Sequence, residues 1–552
     1  SFQNIELDNK SLVDVSGNYS GTIHLQGKEI YLYNDSIILS QNTGTLETSG
    51  TLSVAAIELL SLASSDIEAS TTATGSSSPI MVEAPKISLL NGSDINTITF
   101  GTGASGDVMV KADESVVVGG FNIEESNVSN ITTNSFGSGK AGKLTLHTEN
   151  LYVFDGCIVG SGTFSDGKGG NVKVDANDIL VENISPLGIS AITSTAFGSG
   201  DAGNVSINTE TLVARNGGSI TSSGVSQGNG GNLSVNATES VLISGSTDNK
   251  FSELRSSINV PSPLAQMFLG LSAEPSGNAG NIIINSPQII VTNRGRISVR
   301  NQGKGNAGSL QLIANRLDIT NQGGIFSSTQ SGNGGNLDLQ LQDALLMRYG
   351  GIINSESFNV GNGGNISINS PLIAGFENSD IIANAVEGNG GNINIKTQGI
   401  FGLEFAEQLT QESDITASSE FGINGMVEIN NVNIDPNSGL VELPSELTDS
   451  SQQIAQGCSS GNDNSFIATG RGGIPQNPSQ LLNLNSTWSD IRDLSTSRKP
   501  NNSSDITSIS KKSAIVEATG FIRNSKGEIE LVAVENTALT IKQASECSKS
   551  HT

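Results

Sequence analysis

The sequence is poor in residues on which several common protein classes depend. Only 3 of its 552 residues are cysteine, aromatic residues make up 4%, and 28 Lys and Arg stand against 54 Asp and Glu. Three cysteines cannot form a disulfide framework. The net charge of −26 argues against nucleic acid and against docking on an anionic membrane, because both need clustered cations. No apolar run approaches the ~20 residues of a membrane-spanning helix.

The three cysteines are expected to have different roles. Cys157 lies in a strand-like segment and is predicted to be a small buried hydrophobic residue. Cys458 and Cys547 either pair in an oxidising compartment or stay free. No His or second Cys lies at metal-ligand spacing, so neither a metal nor another cofactor is expected. The chain starts at Ser1 without a signal-like segment, and we expect a processed chain or a portion of a longer one.

Short alternating runs of Ile, Leu and Val dominate the chain, separated by Gly, Asn, Ser and Thr. Hydrophobic residues make up 35% of the sequence, which also holds 65 glycines. This composition is typical of strands and tight turns and not of disorder. In residues 361–396, GNGGN precedes an alternating run, and a near copy of both begins at Gly388. The two copies place Asn365 and Asn392 27 residues apart.

This unit recurs through most of the chain. Nine of the thirteen spacings between successive repeat starts are 27 to 29 residues, and the others are longer. A period near 28 with occasional insertions is the signature of a solenoid. The repeats start at Thr22, Thr51, Ile80, Asp107, Lys143, Asn171, Asn204, Asn232, Asn281, Ser309, Asn336, Asn365, Asn392 and Met426.

Each repeat contains three short strand patterns and no helical periodicity. In the repeat that starts at Asn365 they are residues 366–368, 372–374 and 380–383. A strand-and-helix horseshoe needs a helical pattern in each unit, and a propeller blade needs four strands and ~40 residues. We therefore predict an all-β fold: a right-handed single-stranded parallel β-helix of about 14 coils of ~28 residues, with three strands per coil and a partly irregular C-terminal tail.

Paired Gly and Asn residues mark the corner at which a new repeat begins. Gly is expected to supply positive φ there, and the Asn amide to hydrogen-bond to the Asn of the next coil. A row of amides could also bind a ligand, but its recurrence at corner after corner favours a structural role. These corner residues are Gly170, Asn171, Gly203, Asn204, Gly231, Asn232, Gly280, Asn281, Gly335, Asn336, Gly364, Asn365, Gly391 and Asn392.

The longest spacing, 49 residues between Asn232 and Asn281, predicts an insertion at about residues 246–270. A solenoid pushes insertions outward, and protruding loops often carry function. Residues 263–271 are compatible with a short amphipathic helix. The insertion is either a flap packed on the flank of the solenoid or a ligand-binding loop. In the second case the candidate ligand-binding residues are Phe251, Arg255, Met267 and Phe268.

Changes in composition divide the chain into three regions. Residues 1–447 are predicted to form the β-helix, with a cap made by residues 433–444. Residues 448–510 are rich in Ser, Asn and Pro and are predicted to be a tail and linker. Residues 511–552 contain two alternating runs around residues 524–527, which predicts a small β-hairpin.

An enzyme is the main alternative, because parallel β-helices also carry polysaccharide lyases and hydrolases. Glycoside hydrolysis needs two facing carboxylates, which adjacent coils would supply at one strand position. Asp175 and Asp178 are matched one repeat later by Asn208 and Thr211, and no acidic row is expected. No catalytic triad, nucleophile elbow, phosphate loop or calcium-binding nonapeptide array occurs. We therefore predict neither catalytic nor metal-binding residues.

Motifs in the repeats and in the tail point to one family. GNGGN-strand repeats extend over residues 21–430, and the tail carries Cys458 followed by residues 464–466, TGRGGIP at 469–475 and EATGF at 517–521. Together they resemble the haemagglutinin-like exoproteins of the two-partner secretion family, which are related to filamentous haemagglutinin, in their cyanobacterial form. The N-terminal secretion domain of that family, with its NPN-containing motifs, is not recognisable in this sequence.

The resemblance implies export through an outer-membrane two-partner secretion pore and a right-handed β-helix at the cell surface. The expected function is a secreted or cell-surface adhesin-like exoprotein without catalysis, located outside the cell or on its outer surface. It is expected to be monomeric and to bind a surface glycan or protein receptor. Two alternatives stay open, a β-helical carbohydrate-active enzyme and a passive surface stalk.

Overall fold

The computed structural model describes residues 2–48, 50–431, 520–523 and 529–532. The chain divides into two compact units, Ser1–Leu443 and Pro444–Thr552. In the described part of the first unit, strands make up all the regular structure apart from one seven-residue helix. The all-β prediction is confirmed. The strands of this unit form two large sheets, in which neighbouring strands run parallel.

The first sheet contains 20 strands. In chain order they are Ile5–Leu7, Ile23–Tyr33, Leu52–Ala63, Ile80–Glu83, Lys86–Leu90, Val108–Lys111, Ser115–Gly119, Leu144–Phe154, Val172–Glu182, Val205–Arg215, Leu233–Ser244, Ile282–Asn285, Gln288–Thr292, Leu310–Thr320, Leu337–Arg348, Ile366–Asn369, Leu372–Gly375, Ile393–Thr397, Gly399–Phe401 and Val427–Asn431.

The second sheet contains 15 strands. In chain order they are Leu12–Asp14, Ile37–Asn42, Asp66–Thr71, Asp94–Thr99, Asn130–Ser135, Ile158–Thr163, Ala191–Ala196, Ser219–Gly224, Glu253–Ile258, Arg296–Asn301, Gly324–Thr329, Ile352–Asn354, Asp380–Ile382, Glu404–Phe405 and Asp414–Thr416.

The three strand patterns of each repeat are divided between these two sheets. The first two patterns lie in the first sheet, either as separate strands or as one continuous strand such as Val172–Glu182. The third pattern lies in the second sheet. The continuous strand has two successive exposed residues, Asn177 and Asp178, in its middle. This break in the alternation lets both halves of the strand turn their apolar side chains inward.

Neighbouring strands are offset by one sequence repeat. Val205 lies opposite Leu233 in the first sheet, for example. One predicted repeat start is displaced by a residue, because Leu52, Ile80 and Val108 are in register with one another. The repeat start equivalent to Thr51 is therefore Pro79 and not Ile80. Register matters here, since a slip of one residue would exchange the buried and exposed faces of a strand.

One apolar cluster combines the inward side chains of both sheets. Burial of a side chain as large as Ile or Leu contributes about 1.5–3 kcal/mol, so every repeat adds to the stability of the unit. Cys157 lies in this cluster and is fully buried, as predicted, and desolvation raises its pKa to about 12. Fully buried residues in register along the second sheet include Ile95, Ile131, Val159, Ile192, Ile220, Leu254, Ile297, Ile325, Ile353, Ile381 and Ile415.

The corner glycines permit a close approach of two backbones, and the expectation of positive φ is wrong. None of the corner glycines named above has a positive φ. A Cβ on Gly364 would lie 2.1 Å from the carbonyl oxygen of Gly335, and a Cβ on Gly391 would lie 2.1 Å from that of Gly364. Successive repeats can therefore stack at this corner only where the residue has no side chain.

The corner asparagines form a ladder in which each side chain bonds to the backbone of the next repeat. The Asn336 Oδ1 accepts the N–H of Asn365 at 3.1 Å, and the Asn365 Oδ1 accepts the N–H of Asn392 at 2.9 Å. The other asparagine of GNGGN forms a second ladder, in which the Asn362 Oδ1 accepts the N–H of Asn389 at 2.8 Å. The side-chain amide of a corner Asn thus bonds to the Asn of the next repeat, as expected. Its partner there is the main-chain N–H.

The predicted insertion at residues 246–270 is two insertions on either side of a regular strand. Ser246–Thr247 pairs antiparallel with Lys250–Phe251. The resulting hairpin lies in the segment of chain that connects a strand of the first sheet to a strand of the second. Glu253–Ile258 then lies in register within the second sheet. Comparable hairpins lengthen two earlier repeats, one formed by Phe121–Asn122 and Asn127–Val128 and the other by Ile184–Ser185 and Gly188–Ile189.

The second insertion contains the helix Pro263–Leu269, where the sequence predicts one. The Ser262 hydroxyl caps it by accepting the N–H of Ala265 at 3.2 Å. Pro263 occupies the first turn of the helix, where a backbone N–H would have no carbonyl partner within the helix, so the missing N–H of proline costs nothing. Gly270 ends it in the left-handed conformation with a φ of 66°.

In the second unit, Gly520–Arg523 pairs antiparallel with Ile529–Val532, on either side of the predicted turn at residues 524–527. The predicted cap at residues 433–444 lies outside the described residues, as do Cys458, Cys547 and the predicted boundaries at 447 and 510.

Candidate functional site

A groove of about 900 Å³ lies on the outer face of the second sheet. The hairpins at residues 184–189 and 246–251 line it, so the groove lies where two lengthened repeats add structure beside the sheet. Four neighbouring strands contribute its floor and span about 14 Å at the usual strand spacing. These strands are Glu253–Ile258, Arg296–Asn301, Gly324–Thr329 and Ile352–Asn354.

The alternation of the strands brings three arginines into the groove. Successive strand residues point to opposite faces, so Arg296, Ser298 and Arg300 share the outer face whereas Ile297 is buried in the core. In the preceding repeat, Arg255 lies directly opposite Ser298. Arg255 is therefore close to both arginines of the neighbouring strand.

Arg296 lies against two phenylalanine rings. Its guanidinium carbon is 3.4 Å from the ring centroid of Phe251 and 5.3 Å from that of Phe326. Arg294 also lies over the Phe251 ring, at 5.0 Å from its centroid. Stacking of this kind uses the flat face of a guanidinium and leaves its N–H edge free to donate hydrogen bonds. Another aromatic lining residue, Phe358, is 44% exposed.

The groove is positively charged in a protein whose net charge is −26. Arg255 forms an ion pair with Glu253, with an Nη1–Oε1 distance of 2.6 Å. The Arg255 Nε is buried and has no hydrogen-bond partner among the described residues. Within the same residues, neither Arg296 nor Arg300 forms an ion pair. Desolvation lowers the pKa of both guanidinium groups, and for Arg300 the charge of Arg255 adds to this effect.

Two of the four predicted ligand-binding residues line this groove. They are Phe251, at the end of the hairpin, and Arg255, on the strand that follows. Met267 lies on the helix, is 68% exposed and does not line the groove. The side chain of Phe268 lies outside the described residues.

Arg296 and Arg300 were not among the residues predicted from the sequence. A signal for them was present in residues 294–300, RGRISVR, where Arg296 and Arg300, four positions apart, share a face of a strand. Residues 1–431 contain seven arginines, and four of them lie in or beside the groove. What the sequence does not display is their proximity to Arg255 and Phe326, which lie in neighbouring repeats.

A pair of carboxylates elsewhere in the second sheet contradicts the expectation that no acidic row exists. Asp66 and Asp94 are in register on adjacent strands, and the Asp66 Oδ1 accepts the backbone N–H of Asp94 at 2.9 Å. Desolvation raises the pKa of Asp66 to about 6. Desolvation and the nearby Asp66 raise that of Asp94 to about 7. Neither residue lines the groove.

Comparison with protein-family models, with curated proteins and with solved structures finds no match for this chain. In the described part of the chain, no helix has the length and apolar character needed to span a bilayer. Among the same residues, no group of three or more His, Cys, Asp or Glu side chains is placed to hold a metal ion.

Proposed function

We propose that the first unit is a right-handed single-stranded parallel β-helix which acts as an adhesin-like exoprotein. The β-helical path is supported by parallel pairing at an offset of one repeat and by the alternation of each repeat between the two sheets. The right hand follows from the general handedness of parallel crossover connections. Fourteen coils stacked ~4.8 Å apart make a rod of roughly 65 Å.

The groove carries the proposal that the protein binds a ligand without catalysis. Arginine and aromatic side chains are typical of binding surfaces, where a few such residues supply most of the affinity. Of the residues lining the groove, only Glu253 is a carboxylate, and it is paired with Arg255. A glycosidase of the usual type needs two carboxylates across the scissile bond. The side chains of the groove therefore favour binding over hydrolysis.

Location and export follow from the resemblance of the repeats and tail to haemagglutinin-like exoproteins. In this proposal the chain leaves the cell through an outer-membrane two-partner secretion pore and stays extracellular or on the outer surface. It acts as a monomer there and binds a surface glycan or a protein receptor.

Adhesion assays with the full chain test this proposal. Beads coated with the protein are expected to adhere to glycan- or protein-bearing surfaces, and Phe251→Ala to reduce adhesion because the ring that stacks on Arg296 is lost. Phe421→Ala removes a ring that is 74% exposed outside the groove and serves as the control. A wild-type chain that adheres to no surface is a passive stalk. Adhesion that survives Phe251→Ala uses another surface.

The Asp66–Asp94 pair favours a second candidate, a β-helical carbohydrate-active enzyme. Both carboxylates of this pair on adjacent strands have raised pKa values, and a carboxyl group with a raised pKa is the kind that general acid catalysis uses. Polysaccharides incubated with the full chain would then release new reducing ends. Asp94→Asn would abolish this release, while Asp113→Asn, at an exposed carboxylate, would leave it unchanged. Absence of release from a broad polysaccharide panel rejects this candidate.

A further inference from the structure

The groove has more positive than negative charge available for a ligand. Three arginines and Lys250 line it against a single glutamate, and that glutamate already pairs with Arg255. The Arg255 Nε remains without a partner among the described residues, and the guanidinium edges of Arg296 and Arg300 have no carboxylate to bind there. A guanidinium binds a planar carboxylate through two parallel hydrogen bonds, which makes a ligand carboxylate a close geometric match.

The remaining lining residues are suited to a polyhydroxylated ligand. Ser298 and Ser328 lie on the floor beside the arginines and provide neutral donors and acceptors for hydroxyl groups, whereas the Asn354 amide already bonds to Glu356. Phe358 lines the groove and is 44% exposed, which allows the C–H face of a sugar ring to pack on it. A purely apolar carboxylate would leave the Ser298 and Ser328 hydroxyls without partners.

We infer that the groove binds a carboxylate-bearing saccharide, with the carboxylate held by Arg255, Arg296 and Arg300 and a sugar ring packed on Phe358. A uronic-acid oligosaccharide combines these features. The inference rests on the proposed binding function and narrows its ligand class. Nucleic acid is a poorer match, because strong binding of a phosphate backbone needs many cations along an extended surface. Here the positive charge is confined to about 14 Å of sheet in an acidic protein.

Titration calorimetry of the full chain with oligogalacturonate tests the inference, with the fully methyl-esterified oligosaccharide as the matched neutral probe. We expect the free acid to bind and the ester to bind at least about tenfold more weakly, because charge-assisted hydrogen bonds are lost. Arg300→Gln is expected to weaken binding of the acid by a similar factor. Arg316→Gln, which removes a charge paired with Asp318 on the first sheet, is expected to leave it unchanged. Thermal unfolding of each variant checks that the fold is retained.

Three results would overturn the inference. Equal binding of acid and ester would show that the carboxylate is not recognised. Binding of a sulfated dextran oligosaccharide in place of the uronate would assign the groove to sulfate esters. A chain that binds none of these probes can still adhere to surfaces through Phe251. That result would reject the acidic saccharide as the ligand and would leave the proposed adhesive function in place. Loss of adhesion as well would reject both.

Discussion

The side-chain oxygen of Asn365 accepts the main-chain N–H of Asn392 at 2.9 Å, 27 residues further along the chain. This hydrogen bond joins two successive repeats at the corner where the chain enters the first sheet. Asn392 makes the same bond to the N–H of Met426 at 2.9 Å. Each asparagine thus adds a hydrogen bond between repeats beyond those of the sheets themselves.

Removal of one side chain from this ladder should weaken the unit measurably. Asn365→Ala deletes the acceptor for the N–H of Asn392, and we expect the free energy of unfolding to fall by about 1 kcal/mol. Urea denaturation of the full chain measures the change. Asn394→Ala is the matched control, because Asn394 is exposed on a neighbouring strand and has no side-chain hydrogen bond among the described residues. Equal losses for the two variants would contradict a specific role of the ladder.

The corner glycine Gly364 should not tolerate even a methyl group. In Gly364→Ala the new Cβ would lie 2.1 Å from the Gly335 carbonyl oxygen and 2.2 Å from the Ser355 Oγ. The backbone has to separate at this corner, so we expect a loss of about 1–3 kcal/mol or more. Gly17→Ala places a Cβ with nothing within 4 Å and should change little. Comparable melting temperatures for the two variants would show that the repeats can separate at low cost.

The Asp94 carboxyl should make stability depend on pH. Its pKa is about 7 in the folded chain against an ordinary value of 3.8, so the folded state retains a proton that the unfolded state releases between these values. The free energy of unfolding therefore falls by at most about 4 kcal/mol as the pH rises from about 4 to about 7, and it then levels off. Asp94→Asn should be more stabilising, relative to wild type, near pH 8 than near pH 4.

Calorimetric melting of wild type and Asp94→Asn at both pH values measures this difference. The Asn130 Nδ2 donates to the Asp94 Oδ1 at 3.0 Å, and an asparagine oxygen at position 94 can accept the same hydrogen bond. Asp113→Asn changes an exposed carboxylate outside this pair and is the control. A constant difference between wild type and Asp94→Asn across this pH range would reject a raised pKa at Asp94.

Four phenylalanines form a stacked row after strands of the second sheet. Phe100, Phe136, Phe164 and Phe197 have successive centroid distances of 5.4, 4.4 and 4.8 Å. Phe164→Ala removes two of these stacks, and we expect a loss of about 1–3 kcal/mol beyond the burial effect. Chemical denaturation measures it, with Phe421→Ala, at a ring that is 74% exposed, as the control. If both variants unfold at the same denaturant concentration, the row does not contribute to stability.

The alternating pattern within a repeat was predictable because it reflects which side chains enter the core. Ile366, Ile368 and Ile373 are buried at the positions where the pattern places them inward. The split of residues 246–270 into two insertions was not predictable in the same way. Glu253–Ile258, with the sequence ELRSSI, has few apolar residues, and its place in the sheet depends on pairing with strands in the repeats before and after it.

The period of 28 residues and the choice of inward side chains are properties of the local sequence, because alternation and turn residues act over a few positions. Only the tertiary structure decided which residues of different repeats meet. Arg255 and Arg300 come together with Phe251 and Phe326 because parallel pairing aligns their strands and a hairpin adds Phe251 beside the sheet. The carboxylates of Asp66 and Asp94 interact for the same reason. Such contacts depend on the register between strands, and a change of one residue in that register would turn these side chains to the opposite face.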